Sequence, residues 1–294
     1  MKNWLRLNLF DKAFIYFLLV LNLVILIFKG NLNNWGFYFG MHFVDIAAIL
    51  ILVPYAQKQE GPVWHFLRYW YVLIVFPILY WDMGHYLHMI IAGEQDHYIL
   101  ALEKSIFGVL PNLWVQKLVN PVLTEIMQLS YAVYWFTIPG SAAVCYFSKR
   151  YRVFEYLILS LSITFFISYL LFVLFPVAGP RFTLASQITA AYKGLLVTPF
   201  LRSFVASAGL RGGAFPSSHV AVAVTGLLFM WRYFPKIGKR YFLPAVIALS
   251  LATVYGQYHY VTDVFAGLLI GIFSGFTGIY WCDRKLRTVR ETVA

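Results

Sequence analysis

Residues Arg211 to Val222 read R-G-G-A-F-P-S-S-H-V-A-V and set two hydroxyls and an imidazole, Ser217, Ser218 and His219, where a glycine-rich loop runs into an apolar helix. A helix start presents unpaired N–H groups and the positive end of the helix dipole, which together hold an anion such as phosphate. Gly212 and Gly213 admit a close backbone approach, and Arg211 adds a permanently charged fork that matches phosphate oxygens. His219 can give or take a proton near neutral pH. This is the pattern of a phosphate site with a proton donor attached. Serine and glycine ahead of a helix are also ordinary capping residues, so this stretch alone leaves both readings open.

Two further stretches bear on the choice. His259 and Asp263, within Y-H-Y-V-T-D-V, are four apart and share one face of a helix. A carboxylate bonded to one ring nitrogen fixes the tautomer and makes the other nitrogen a better nucleophile or base. The plain alternative is a buried pair satisfied at a helix end, yet ionisable groups near a bilayer core are costly and mark function. Arg181 lies in F-P-V-A-G-P-R-F, where an arginine snorkelling to lipid headgroups is the competing reading.

The elements that must position these residues are membrane helices. The 294-residue chain is 61% hydrophobic, 19% aromatic and only 12% charged, more apolar surface than a water-soluble domain of this size uses. Apolar runs of spanning length recur at 13–29, 36–54, 64–81, 122–147, 153–176, 215–233, 241–258 and 262–281. The expected fold is therefore an all-α integral membrane bundle of about eight transmembrane helices. Residues 82–121 are mixed and amphipathic, and read as a loop with interfacial helices.

The net charge of +11 does not imply a nucleic-acid partner, because the basic residues cluster at the ends of apolar runs. With eight spans, 16 of the 23 Lys and Arg residues fall on one side, which the orientation rule makes cytoplasmic. Four of the other seven, Arg181, Lys193, Arg202 and Arg211, lie in one outer loop, 177–214. Positive charge placed against the rule has a local reason in an anionic substrate. Cys145 and Cys282 fall near cytoplasmic ends, so no disulfide is expected. Lys2, Arg6 and Lys12 precede a run with no small-residue cleavage site, which reads as a retained first span.

This topology brings Arg181, the Ser217–His219 turn, His259 and Asp263 to one membrane face from separate spans. The set G-P-R-F at 179–182, F-P-S-S-H at 215–219 and H-Y-V-T-D at 259–263 resembles the type 2 phosphatidic acid phosphatase superfamily. With F-G-V-L-P at 107–111 and T-V-Y-G-Q-Y-H-Y-V-T-D, it looks most similar to the branch containing inositol phosphorylceramide synthases. The resemblance covers about Ile99 to Gly271. It implies that His259 attacks phosphorus to form a phosphohistidine, that Asp263 orients it, and that His219 protonates the leaving oxygen. Ser217, the Ser218 backbone and Arg181 would hold the phosphoryl oxygens without a metal or other cofactor. Some positions depart from the family pattern: Leu174 where a lysine is usual, Phe182 for proline, Ser218 for glycine and Thr253 for arginine. Arg211, and beyond it Arg202 or Lys193, are the candidate substitutes for the missing cations, which argues against a highly charged pyrophosphate.

Asp82, His85 and His88 have a loose metal-like spacing without cysteine, and read as interfacial packing or headgroup contact rather than as a zinc site. His42 and Asp45 share a helix face and read as an internal polar contact. The division expected is N-terminal helices over 1–98, a catalytic membrane domain over 99–281 and a cytoplasmic basic tail over 282–294. The function expected is a lipid phosphatase or phosphotransferase in a bacterial inner or plasma membrane, with its site on the non-cytoplasmic side and a lipid phosphate or phospholipid as substrate. The alternative is a non-catalytic lipid-binding or transport protein, against which stand the absence of repeat halves and the intact His219, His259 and Asp263.

Overall fold

Long runs of Leu, Ile, Val and Phe without water to satisfy the backbone leave the helix as the one structure in which each segment bonds its own peptide groups. The computed structural model describes residues 7–293, with side chains through 288. Lys2, Arg6 and the side chain of Arg290, counted above for orientation, lie outside the described residues. The helices are α1 Leu9–Phe28, α2 Trp35–Lys58, α3 Pro62–Trp70, α4 Val72–Met83 and α5 Asp96–Phe107. They continue with α6 Pro111–Val115, α7 Pro121–Ala132, α8 Tyr134–Phe147, α9 Tyr151–Leu174 and α10 Pro180–Thr183. The last are α11 Val197–Ala208, α12 Ser218–Tyr233, α13 Pro235–Ile237, α14 Leu243–Tyr255 and α15 Val261–Val293. Among the described residues there is no strand, only an isolated bridge from Val177 to Gly212 and Gly213.

Among the described residues six stretches are long and apolar enough to cross a membrane: 9–31, 35–58, 62–83, 151–174, 235–255 and 261–288. The two other expected spans differ. Residues 121–147 form α7 and α8, which meet at Val133, and α12 has 16 residues, short of the ~20 that a full crossing takes. The junction at Val133 precedes Pro139, as the α3–α4 junction at Tyr71 precedes Pro77. Proline lacks an N–H and crowds the preceding turn, which interrupts the ladder upstream.

Helix α9 is the axis of the bundle, with 16 of its residues buried, and α1, α12 and α15 pack around it. Its Ser160, Ser162, Thr164 and Ser168 each donate to the carbonyl four residues back, so the hydroxyls are satisfied inside the apolar core. Thr164 also meets Thr225 of α12 at 2.9 Å. Close packing of α15 depends on Gly267, Gly271, Gly275 and Gly278. A Cβ on Gly267 would strike the Ser217 carbonyl, and one on Gly271 the Ala221 carbonyl. Small residues on one helix face are what let membrane helices approach this closely.

The same packing places the starts of α12 and α15 side by side. At the other end of the bundle Lys149, Arg150, Arg152, Arg232 and Arg287 surround one cleft. His42, read from the sequence as an internal polar contact with Asp45, makes its hydrogen bonds to other helices: its Nδ1 lies 2.6 Å from Asn22 of α1 and its Nε2 3.2 Å from the Tyr86 hydroxyl. Burial draws the ring inward between helices, while Asp45 stays half-exposed.

Candidate active site

Three separate turns are stitched together by backbone hydrogen bonds. Val177 donates to Gly212, Ala214 donates back to Val177, Arg181 donates to the Gln257 carbonyl, and Ser217 donates to the Asp263 carbonyl. Gly212 has φ 107° and Gly179 φ 95°, conformations that only glycine adopts readily. A Cβ on Gly179 would already stand 3.1 Å from both the Ala214 Cβ and the Tyr258 carbonyl. These turns therefore sit against one another because side chains are missing where the backbones meet.

Ser217 is the N-cap of α12, and its fully buried hydroxyl oxygen accepts from the Val220 N–H at 3.5 Å. Ser218 and His219 form the first turn, whose amides have no partner within the helix. His219 Nδ1 lies 3.4 Å from His259 Nε2, and His219 Nε2 lies 3.0 Å from the Tyr131 hydroxyl. On its other side, His259 Nδ1 is 2.8 Å from the Ala214 carbonyl oxygen. A carbonyl can only accept, so His259 carries its proton on Nδ1 and keeps a lone pair on Nε2. The direction then propagates: His219 donates from Nδ1 to His259, and Tyr131 donates to His219. Burial pushes the His259 imidazole down to about 4, the Ala214 carbonyl opposing and the Arg181 charge adding to the effect. It is therefore neutral at pH 7.

Asp263 stands 3.5 Å from His259 Nδ1, farther than Ala214 does. Its short bond is from the Tyr260 N–H at 2.8 Å, which caps α15 by reaching back from the helix's third residue. Its other oxygen has no hydrogen-bond partner.

Arg181 donates from Nη1 to the Val205 carbonyl at 3.1 Å and lies against Gly209, where a Cβ would strike its guanidinium. Gly209 and Val205 line a cavity of about 590 Å³ together with Ser218, His219, Tyr131 and Tyr134. Apart from Tyr80 and Tyr169 the rest of that lining is largely apolar, from Phe76 and Trp81 of α4 to Ile138 of α8 and Phe204 of α11. Arg211 is placed differently: it is exposed and its Nε pairs with Glu94 at 2.8 Å. Both guanidiniums contact the Phe182 ring, at 4.6 Å for Arg181 and 5.4 Å for Arg211. Arg202 packs over Tyr192 at 5.3 Å, and Lys193 is exposed.

Several residues that support this arrangement escaped the sequence reading. Asp96, at the start of α5, accepts from the Ala178 and Gly179 amides, the Thr183 hydroxyl and the Tyr260 hydroxyl, all within 2.9 Å. It thus ties the turn bearing Arg181 to the residue after His259. Glu103, about two turns further along the same face of the helix, accepts from the Thr262 amide, and burial pushes its carboxyl upward. The Asn112 amide donates to the His259 carbonyl at 3.1 Å. The region read as a loop with interfacial helices is a brace for these turns. A buried acidic or amide side chain in so apolar a chain was itself the available signal.

Asp82, His85 and His88 do not converge. Asp82 accepts from Tyr86, and His85 meets Tyr38 at 3.1 Å. Among the described residues no three His, Cys, Asp or Glu side chains gather as metal ligands. Cys145 and Cys282 are buried free thiols.

Comparison with known proteins bears on the whole arrangement. The family model for the PAP2 superfamily matches residues 97–276, the stretch that contains all three turns together with Glu103 and Asn112, and begins one residue after Asp96. A PA-phosphatase related-family protein of Dictyostelium discoideum is 27% identical over 215 residues. The match covers 65% of this chain and 37% of that relative, so the chain spans well under two thirds of the relative's length. No solved structure matches the chain. With the family model covering more than half of its length, the chain belongs to the PAP2 superfamily.

Proposed function

We propose that this protein cleaves a lipid phosphate ester through a phosphohistidine formed on His259, at the non-cytoplasmic face of the membrane. The observation that carries the reading is the direction of hydrogen bonding at His259: Nδ1 donates to Ala214 and Nε2 presents a lone pair toward His219. Family membership supports phosphatase-type chemistry on a lipid phosphate in general terms. The apolar cavity that ends at Ser218 and His219 suits a substrate with a hydrocarbon tail and one polar end.

The phosphoryl group takes the place of the His219–His259 hydrogen bond, the two imidazoles moving apart to flank it. His259 Nε2 attacks phosphorus, a nitrogen–phosphorus bond forms and the bond to the leaving oxygen breaks. His219, protonated beside the anionic substrate, gives that oxygen its proton. Arg181 and the first-turn amides of α12 stabilise the charge on the equatorial oxygens. In the second half, water or a lipid hydroxyl loses its proton to His219 as it attacks phosphorus, and His259 is released. No metal or other cofactor takes part. Arg211 acts at the rim, meeting the anion before it reaches Arg181.

Resemblance to the inositol phosphorylceramide synthase branch makes transfer to a lipid hydroxyl as reasonable an outcome as hydrolysis. The test is incubation of the purified protein with phosphatidic acid, a polyprenyl pyrophosphate, and phosphatidylinositol with ceramide. Released phosphate and new phospholipid are measured in the same tubes, with acid quenching to trap phosphoprotein. Absence of both products and of acid-labile phosphate on the protein would leave the non-catalytic reading standing.

A further inference from the structure

Glu125 is a carboxylate only 8% exposed, midway along α7. Among the described residues no charged side chain pairs with it. Five donors from the start of α11 do: the amides of Leu195, Leu196, Val197 and Thr198 and the hydroxyl of Thr198. Each carboxylate oxygen is shared by at least two of them, so the side chain caps all the orphan amides that a helix start leaves. A Cβ on Gly194 would strike both Thr198 and the Glu125 carboxylate. The capped end is thus closed against any bulk.

At the other end of the same helix the last turn receives Arg181. The Val205 carbonyl accepts from its guanidinium, and Gly209 leaves room for it. A helix C-terminus carries unpaired carbonyls and the negative end of the dipole, both of which hold a cation. Twelve residues of helix separate the two ends, about 18 Å at 1.5 Å per residue. Between them Thr198, Leu201 and Val205 are buried, while Leu196, Phe200 and Phe204 face outward. Helix α7, which supplies Glu125, also supplies Tyr131 to His219.

We infer that Glu125 is a positioning residue for the phosphoryl site, holding Arg181 in register through α11 as a strut; this rests on the reading of Arg181 as a phosphate ligand. Among the described residues no carboxylate pairs with Arg181, so a carbonyl on a surface helix sets where its charge lies. That helix is fixed at its far end by Glu125. Loosening the start lets the last turn shift, and Arg181 follows it.

The test uses the full chain in vesicles with a short-chain phosphatidic acid as substrate. Glu125→Gln keeps the shape but turns an amide toward donors that need an acceptor. It is expected to lower kcat/KM roughly tenfold or more, and Gly194→Ala to act alike from the opposite side. In an Arg181→Ala background the same changes should lower kcat/KM less than about twofold further, because the residue they position is gone. Hydrogen exchange supplies a reading independent of turnover. Faster exchange is expected at 195–198 and also at 205–210, with α9 and α15 unchanged. Equal losses in the two backgrounds, or faster exchange confined to 195–198, would overturn the strut. An Arg181→Ala protein with full activity would instead overturn the reading of Arg181 itself.

Discussion

His259 directs Nδ1 at the carbonyl oxygen of Ala214, 2.8 Å away, and the nearer oxygen of Asp263 is 3.5 Å off. Ala214 belongs to the loop that leads into Ser217, so the orientation of one histidine depends on the turn that presents the other. The tautomer is set by a backbone atom of the neighbouring motif, and the carboxylate four residues along supports the helix start.

That division of labour separates the two histidines in experiment. His259→Ala should abolish acid-labile phosphate on the protein and lower turnover by several orders of magnitude. His219→Ala should lower it mainly for substrates whose leaving oxygen is a strong base, since a weakly basic one needs no proton. Trapped phosphoprotein and rates on two substrates of different leaving-group basicity decide between them. Phosphoprotein that persists in His259→Ala but vanishes in His219→Ala would exchange the two roles.

Asp263→Asn tests the carboxylate. Where a carboxylate is the sole partner of a catalytic imidazole, the amide can cost ~10⁴ in kcat by reversing the tautomer. Here Ala214 holds the tautomer, so a loss nearer ~10² is expected, measured as kcat at saturating lipid. A loss as large as that of His259→Ala would mean that Asp263 and not Ala214 governs the ring.

The pH profile follows from the burial of His259. Its pKa is lowered to about 4, so the neutral form, the one the proposed attack requires, persists well below the ordinary histidine range. The acid limb of kcat/KM is expected near pH 4 and not near 6.5. The same shift bears on stability. Between about 4 and 6.5 the unfolded chain binds the proton and the folded one does not, so acid favours unfolding across that window. An acid limb at 6–7 in the free protein would show that His259 is open to water.

Much of this site was legible in the sequence, for identifiable reasons. Apolar runs of spanning length announce helices, and His219, His259, Asp263 and Arg181 stand out because charged and titratable groups are scarce in a chain that is 12% charged. The Ala214 carbonyl was not legible, since every residue has one and only the fold selects it. Asp96 and Glu125 were passed over because their partners are backbone amides about 80 and 70 residues away, which leave no mark in spacing. Arg211 matches the local pattern of a phosphate ligand, yet Glu94, more than a hundred residues earlier, claims its Nε.

Tyr131→Phe removes one hydroxyl and no ring. The Tyr131 hydroxyl donates to His219 Nε2, so its loss frees that nitrogen and loosens the ring without touching His259. A roughly tenfold fall in kcat is expected, about the worth of one hydrogen bond, with phosphohistidine formation still detectable. An unchanged kcat would show that the tilted ring contact with Tyr134, 4.3 Å away between ring centres, suffices to hold His219.

Asp96 and Glu103 make a paired test of the brace, because they lie on one helix and differ in how many donors they serve. Asp96 accepts four hydrogen bonds, two of them from the amides that lead into Arg181 and one from the Tyr260 hydroxyl. Asp96→Asn turns an amide toward some of those donors and leaves buried N–H groups unpaired, at about 1–3 kcal/mol each. It is expected to lower the unfolding temperature in detergent clearly and to lower activity with it, since the turns bearing Arg181 and His259 both hang on that carboxylate. Glu103 accepts from the Thr262 amide through one oxygen, and its other oxygen has no partner. Burial shifts its carboxyl toward the neutral form, and the neutral isostere in Glu103→Gln can still accept from the Thr262 amide. That variant is expected to change stability by less than about 1 kcal/mol and activity little. Thermal unfolding of both variants, read beside their rates, checks the contrast. Equal sensitivity of the two, in either direction, would mean that α5 braces the site by apolar packing and not through Asp96.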